Sequence, residues 1–309
     1  MRFWTLLLIL VVISFFSSMQ TTAEESPERN STEAVVSPSP LKVTMEPGSP
    51  VKTADGCAAS EIEPNSMSPT WDTQAETTPC GALETDNLLT RQPLGRGIWQ
   101  QTMTTTLKYG LTPRLEVRWV PPGRISQAGG GTSPMGGTTD QWVGALYRFR
   151  DQGRWTPDLA FDYAFKIPTA NPNKGFGSDY ADHQLTFIAS RDRGPNHLDF
   201  NVAGTIAGAA TGSDAAAQFG MAYTRSFSSR LMATIEAFGG PQPGTSDRYG
   251  AVLAGGSWSI RPWLAVNGGL IHTYTAGSPR QQYLIGFIYS IRPRFAPSRE
   301  SWLMRAFGR

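Results

Sequence analysis

Three histidines, His183, His197 and His272, are the side chains of this sequence that titrate near neutrality without help. Each has a plain role available. His197 shares one face of an extended segment with Asp199 and Asn201, which suits a hydrogen-bonded group better than a catalytic base. His183 adjoins Asp182 at the start of a segment, where a solvated imidazole is expected. His272 continues the apolar side of Leu264, Val266 and Leu270, where a serine partner would make a lipid-modifying hydrolase conceivable. No Gly-x-Ser-x-Gly elbow accompanies it, so the enzyme reading ranks last and no catalytic residue is assigned. The charged residues are more informative. Glu84, Asp86, Glu116, Arg118, Arg148, Arg150, Asp162, Lys166, Asp199, Asn201 and Glu236 all fall on the polar side of alternating segments. Brought together inside a closed surface, acids and bases of this kind would line or close a passage. Neither a metal nor a cofactor site is expected, since the histidines do not cluster and the glycine-rich stretches lack a strand-to-helix phosphate turn.

The elements that must position these groups are strands. "HLDFNVAGTI", residues 197–206, sets Leu198, Phe200, Val202, Gly204 and Ile206 against His197, Asp199, Asn201, Ala203 and Thr205. A period of two over ten residues gives one oily and one wet face. Similar segments are expected at Gly81–Arg91, Gln100–Tyr109, Arg114–Val120, Asp140–Arg150, Asp158–Ile167 and Asp182–Arg191. They continue at His197–Ala207, Ala215–Arg225, Leu231–Phe238, Arg248–Ile260, Trp263–Tyr274 and Gln281–Ile291, about 12 in all. Turns after even-numbered strands are short, whereas most of the others are long and rich in Gly, Pro, Ser and Thr, as in "PPGRISQAGGGTSPMGGTT". That asymmetry predicts an all-β, antiparallel transmembrane β-barrel with short periplasmic turns and longer external loops. A soluble sandwich would carry more Lys and Glu outside; here charged residues are only 17% of the chain. Trp119, Tyr147, Tyr223 and Tyr249 suit aromatic girdles at the membrane interfaces.

The N-terminus, "MRFWTLLLILVVISFFSSMQTTAEES", has one basic residue and an apolar core too short to cross a bilayer as a helix. It reads as a signal peptide, residues 1–23, and implies export. Residues 24–79 hold ten acidic and three basic residues among Pro, Ser and Thr, and read as a disordered periplasmic linker. Its end, "SPTWDTQAETTPCG", has apolar anchors that can dock on the strands beyond it. Cys57 and Cys80 are the only cysteines and could form a disulfide in an oxidising compartment. Residues 80–295 form the barrel and 296–309 a C-terminal periplasmic tail.

"LKYGLTPRLEVRW", "DQWVGALYRFRDQG", "FDYAFKIPTANPNKGFG" and "GGSWSIRPWLAVNGGL" together resemble the outer-membrane transporter family of the meta-pathway of phenol degradation. The resemblance runs over residues 81–295 and implies a barrel in the bacterial outer membrane that passes small, often hydrophobic or aromatic compounds. It supplies no catalytic residues, and the acidic linker and the tail after Phe295 depart from it. The expected partners are outer-membrane lipid, a small-molecule solute and the barrel assembly machinery, with no nucleic acid and a monomeric chain. A narrow channel is expected first, and a non-conducting interaction barrel second.

Overall fold

The computed structural model describes residues 64, 69–241, 248–274 and 280–292. The expected signal peptide, most of the expected linker with Cys57, Phe295 and the expected C-terminal tail lie outside the described residues.

The alternating segments form strands that are antiparallel throughout. In chain order they are β1 (Leu83–Gly95), β2 (Ile98–Thr112), β3 (Leu115–Val120), β4 (Arg124–Gly129), β5 (Thr132–Thr138), β6 (Gln141–Arg150) and β7 (Asp158–Ile167). Then come β8 (Asp182–Arg193), β9 (Asn196–Ala209), β10 (Gly212–Ser226), β11 (Leu231–Pro241), β12 (Arg248–Arg261), β13 (Leu264–Thr273) and β14 (Gln281–Ile291). β1 pairs with both β2 and β14, which closes the sheet. β2 pairs with β3 along one half and with β4 along the other, so β3 and β4 are a single stave. The stave breaks at Pro121-Pro122-Gly123, because proline brings no N–H to a ladder. β5 and β6 are likewise one stave. Among the described residues the fourteen strands therefore make a closed barrel of 12 staves, in line with the about 12 strands expected from the sequence pattern.

The connections differ between the two ends. One end carries the short turns between β2 and β3, β8 and β9, β10 and β11, and β12 and β13, together with both ends of the described barrel chain. At the opposite end the glycine-rich stretch expected to be a loop is instead the β4–β5 hairpin. Phe176, from the connection after β7, packs with Ile125 and Ala170 beside it. Two other connections at this end are tighter than expected, since β1–β2 and β9–β10 each turn in two residues.

Period-two patterning sorts the faces. Leu185, Phe200, Ile206, Phe219, Ile235 and Ile285 are each 43–64% exposed on the outside, an arrangement that aqueous solvent would not tolerate over a whole surface. Trp119 and Tyr147 are exposed on the same side, as expected of girdle residues. Tyr249 is not one of them. It faces inward with Phe238, because β12 turns Tyr249, Ala251 and Leu253 to the interior and both faces are apolar there.

The interior is filled in part by the chain's own N-terminal side. Residues 69–79, inside the expected disordered linker, run along the inner wall as an extended strap. The ordered chain thus begins before residue 80. Ala75 of the strap is fully buried among Leu146, Ala160 and Ile188 on β6, β7 and β8. Trp71 packs against a second inner cluster of Phe238, Ala251, Leu253, Ile271 and Leu284.

Candidate functional site

The strap is held mainly through its backbone. Glu236 on β11 accepts the N–H groups of Trp71 at 2.9 Å and Asp72 at 2.5 Å. Asn201 on β9 brackets Thr73, accepting its N–H at 3.3 Å and donating Nδ2 to its carbonyl at 2.9 Å. Ser190 Oγ on β8 accepts the Ala75 N–H at 2.8 Å, and Glu116 Oε2 on β3 accepts that of Thr78 at 2.5 Å. An extended segment outside a sheet has no ladder partner for its amides, so inward polar side chains take that place. Each neutral bond contributes roughly 0.5–1.5 kcal/mol, and those to carboxylates about 1.5–3 kcal/mol.

Close approach is needed at both ends of the strap. A Cβ on Gly110 of β2 would run into the carbonyl oxygens of Thr78 and Pro79. One on Gly220 of β10 would overlap the Asp72 carboxyl and lie 2.7 Å from Trp71 Cζ3. Trp71 stacks on Phe238 with centroids 5.5 Å apart and planes within 1°. Cys80, where the strap ends, is buried and forms a parallel bridge with Gly110.

Around the strap the inward charges pair. Glu84 and Lys108 stand opposite each other on β1 and β2 and form a fully buried ion pair. Lys108 is in register with Arg118 on β3. Arg118 binds Glu116 through Nε and Asp162 of β7 through Nη1 at 2.5 Å. Glu116 thereby serves a guanidinium and the strap at once. Towards the long-loop end Lys166 pairs with Asp182, lies 3.8 Å from Asp140 and donates to Ser178 Oγ at 2.8 Å.

Asp86 faces inward and is buried. Asp199 accepts from Ser190 Oγ at 2.6 Å, and His197 lies between Asp199 and Asp192, with Nδ1 2.7 Å from Asp192. Arg148 faces inward at the short-turn end, donating Nη2 to the Pro113 carbonyl at 3.0 Å, with Nε 3.4 Å from Asp151.

Arg150 does not join the others. A β-bulge between Arg148 and Arg150 shifts the register, so Arg148 opposes inward Ala160 while Arg150 opposes outward Leu159. A one-residue slip exchanges faces, which leaves Arg150 exposed on the outer side of the rim. Asp162 pairs with Arg118, and Glu236 meets the strap rather than a cation. His183 is on the outer face, its Nδ1 2.8 Å from the Tyr163 hydroxyl. His272 is exposed outward against Tyr274.

Sequence reasoning passed over Lys108, Asp72, Ser190, Asp140 and Asp182. For Lys108 the signal was present, since it alternates with Leu107 and Tyr109. For Asp72 there was none, because the strap has no periodicity.

Beside Trp71, in the half of the barrel nearer the long loops, lies a cavity of about 360 Å³. Its wall is mostly apolar, formed by Trp71, Leu88, Phe238, Tyr249, Ile271 and Leu284, with Thr70, Gln218 and Gln282 as polar points.

No protein-family model matches the chain, and no curated protein matches it. Among solved structures it is similar to an outer membrane channel from Pseudomonas putida F1, with 14% identity over 72% of this chain and 100% of that one, at a TM-score of 0.58. It is more loosely similar to the KdgM porin in complex with disordered oligogalacturonate (7% identity, 68% and 99% coverage, TM-score 0.44). A BenF-like porin from Pseudomonas fluorescens Pf-5 matches at 9% identity, 69% and 98% coverage and a TM-score of 0.32. The first likeness establishes the fold. With the apolar outer face, that fold defines the chain as a β-barrel of the bacterial outer membrane.

Proposed function

We propose that this barrel is a channel for passive passage of small molecules across the outer membrane, with the strap narrowing its lumen. The observation that carries this reading is the cavity of about 360 Å³ beside the strap. A barrel built only as a scaffold has no need of a space that large, mostly apolar and set with two amides. Twelve staves enclose more than their own side chains fill, while remaining well below porin width. The short turns then lie in the periplasm and the β4–β5 hairpin outside the cell.

The walls of Trp71, Phe238 and Tyr249 favour hydrophobic or aromatic solutes over sugars and ions. The resemblance to the transporter family of the meta-pathway of phenol degradation points the same way. The chain works as a monomer without a cofactor, inserted by the barrel assembly machinery. Liposome swelling with polar, anionic and aromatic solutes tests the proposal. Faster swelling for uncharged aromatic solutes is expected, and greater permeability when residues 69–79 are deleted. A folded barrel that admits no solute even without the strap would refute it and leave the non-conducting interaction barrel.

A further inference from the structure

Asp72 is a strap carboxyl whose burial the backbone bonds do not explain. It is 2% exposed, and neither carboxyl oxygen has a hydrogen-bond partner among the described residues. Three wall strands press on it. β10 offers Gly220, which has no charge and no side chain. β11 offers Glu236, whose carboxylate is already committed to the Trp71 and Asp72 amides. β9 offers Asp199, whose carboxylate is held by Ser190 and by His197, which Asp192 of β8 also engages. A carboxylate needs donors or a cation when buried, and this pocket supplies carboxylates instead.

We propose that the strap is a proton-controlled latch, held in the lumen while the Asp72 carboxyl is neutral and freed when it ionises. Its effect on passage rests on the channel reading above; the movement of the strap does not. Burial, reinforced by Glu236 and then Asp199, pushes the Asp72 carboxyl from 3.8 up to about 9. The docked strap keeps a proton that a free strap, with an ordinary carboxyl, has lost at neutral pH. Docking is therefore strongest below the free value and weakens as pH rises toward the docked value. Glu76 of the same strap is raised too, by burial and then Asp192, so each of the two carboxyls costs docking up to about tenfold per pH unit where it alone titrates. The amides on Glu236, Asn201, Ser190 and Glu116 oppose release, and at acid to neutral pH they prevail.

Strap docking is readable without any transport. Glu76 lies in the middle of the strap and is a site for a glutamate-specific protease. The full-length protein, refolded in vesicles, is digested from pH 5 to 9, and cleavage after Glu76 is scaled to that of a free peptide of the same sequence. Cleavage is expected to rise more than tenfold with pH in the parent. The rise should be much smaller in Asp72→Asn, which keeps the shape without the charge and leaves Glu76 as the strap's remaining raised carboxyl. Glu236→Gln removes one facing charge and weakens the hold on the Trp71 and Asp72 amides, so cleavage at acid pH should increase and its further rise with pH should shrink; it serves if Asp72→Asn does not fold. Flat cleavage in the parent, or an unchanged pH profile in the folded variants, overturns the latch. Planar-bilayer recordings on the same samples separate the two readings. Conductance rising in step with cleavage supports both, whereas cleavage that rises without conductance upholds the latch and refutes the channel.

Discussion

Phe200 and Asn201 are neighbours on β9, yet one is 43% exposed outward and the other 1% exposed inward. Substituting each in turn separates what holds the barrel in lipid from what holds the strap in the barrel. Phe200 stands four residues along β9 from Asn196, or about 10 Å up a tilted strand, near the middle of an apolar band about 25 Å tall. Phe200→Arg therefore sets a charge against the membrane interior at a cost of about 2–4 kcal/mol.

Asn201→Ala touches no lipid. It removes both bonds to Thr73, worth roughly 1–3 kcal/mol together, or about 5- to 150-fold in strap docking. Folding titrations in urea, read out by heat-dependent mobility on gels, report barrel stability; cleavage after Glu76 reports the strap. Phe200→Arg should lower barrel stability and leave strap cleavage unchanged. Asn201→Ala should keep the barrel and raise cleavage. Equal loss of barrel assembly from both would refute the assignment of faces and put a protein core where lipid is placed here.

A protease site inserted between Gly130 and Gly131, at the tip of the β4–β5 hairpin, should be cut on intact cells, whereas one at Ser228 should not; reversed accessibility would invert the barrel in the membrane. Arg118→Ala strips the shared cation from Glu116 and Asp162, so stability should fall by about 3–5 kcal/mol, less where lumen water screens the acids, and reversal potentials should shift toward cations. Arg148→Ala, which removes a rim group bound to a carbonyl and Asp151, should leave selectivity unchanged.

Much of the barrel was legible because its information lies in side-chain alternation, which a sequence displays directly. β7 reads correctly on both faces from Asp158 to Lys166, and β9 from His197 to Thr205. Errors arise where that code is interrupted or carries no information. The bulge at Arg148 and Arg150 changes parity without changing residue types, so Arg150 looked inward. Tyr249 was ambiguous because apolar residues occupy both faces near it. The "PPGRISQAGGGTSPMGGTT" stretch has the residues of a loop, yet its amides complete the far half of the β2 ladder. The strap was hidden for a deeper reason. It docks chiefly through backbone N–H groups, which every residue but proline possesses, so Ser, Thr and Glu there carry no visible sign of the wall that receives them.

That mode of docking also puts control of the strap in the wall. If amides are the contact, most substitutions within residues 73–79 leave the bonds intact, while a single change at Glu236, Asn201, Ser190 or Glu116 removes one or two. Glu116 matters most in this respect because it is shared. One oxygen holds Arg118 and the other holds the Thr78 amide, so the carboxylate that balances the lumen's charge also fixes the strap's lower end. Charge selectivity and strap position are then coupled through one side chain. An Arg118 no longer engaged by Glu116 would change both, with the strap answering through hydrogen-bond strength and the ions through field. At the strap's other end Glu236 holds two amides and meets Asp72 instead of a cation, which makes that end sensitive to protons and the Glu116 end sensitive to the arrangement of fixed charges.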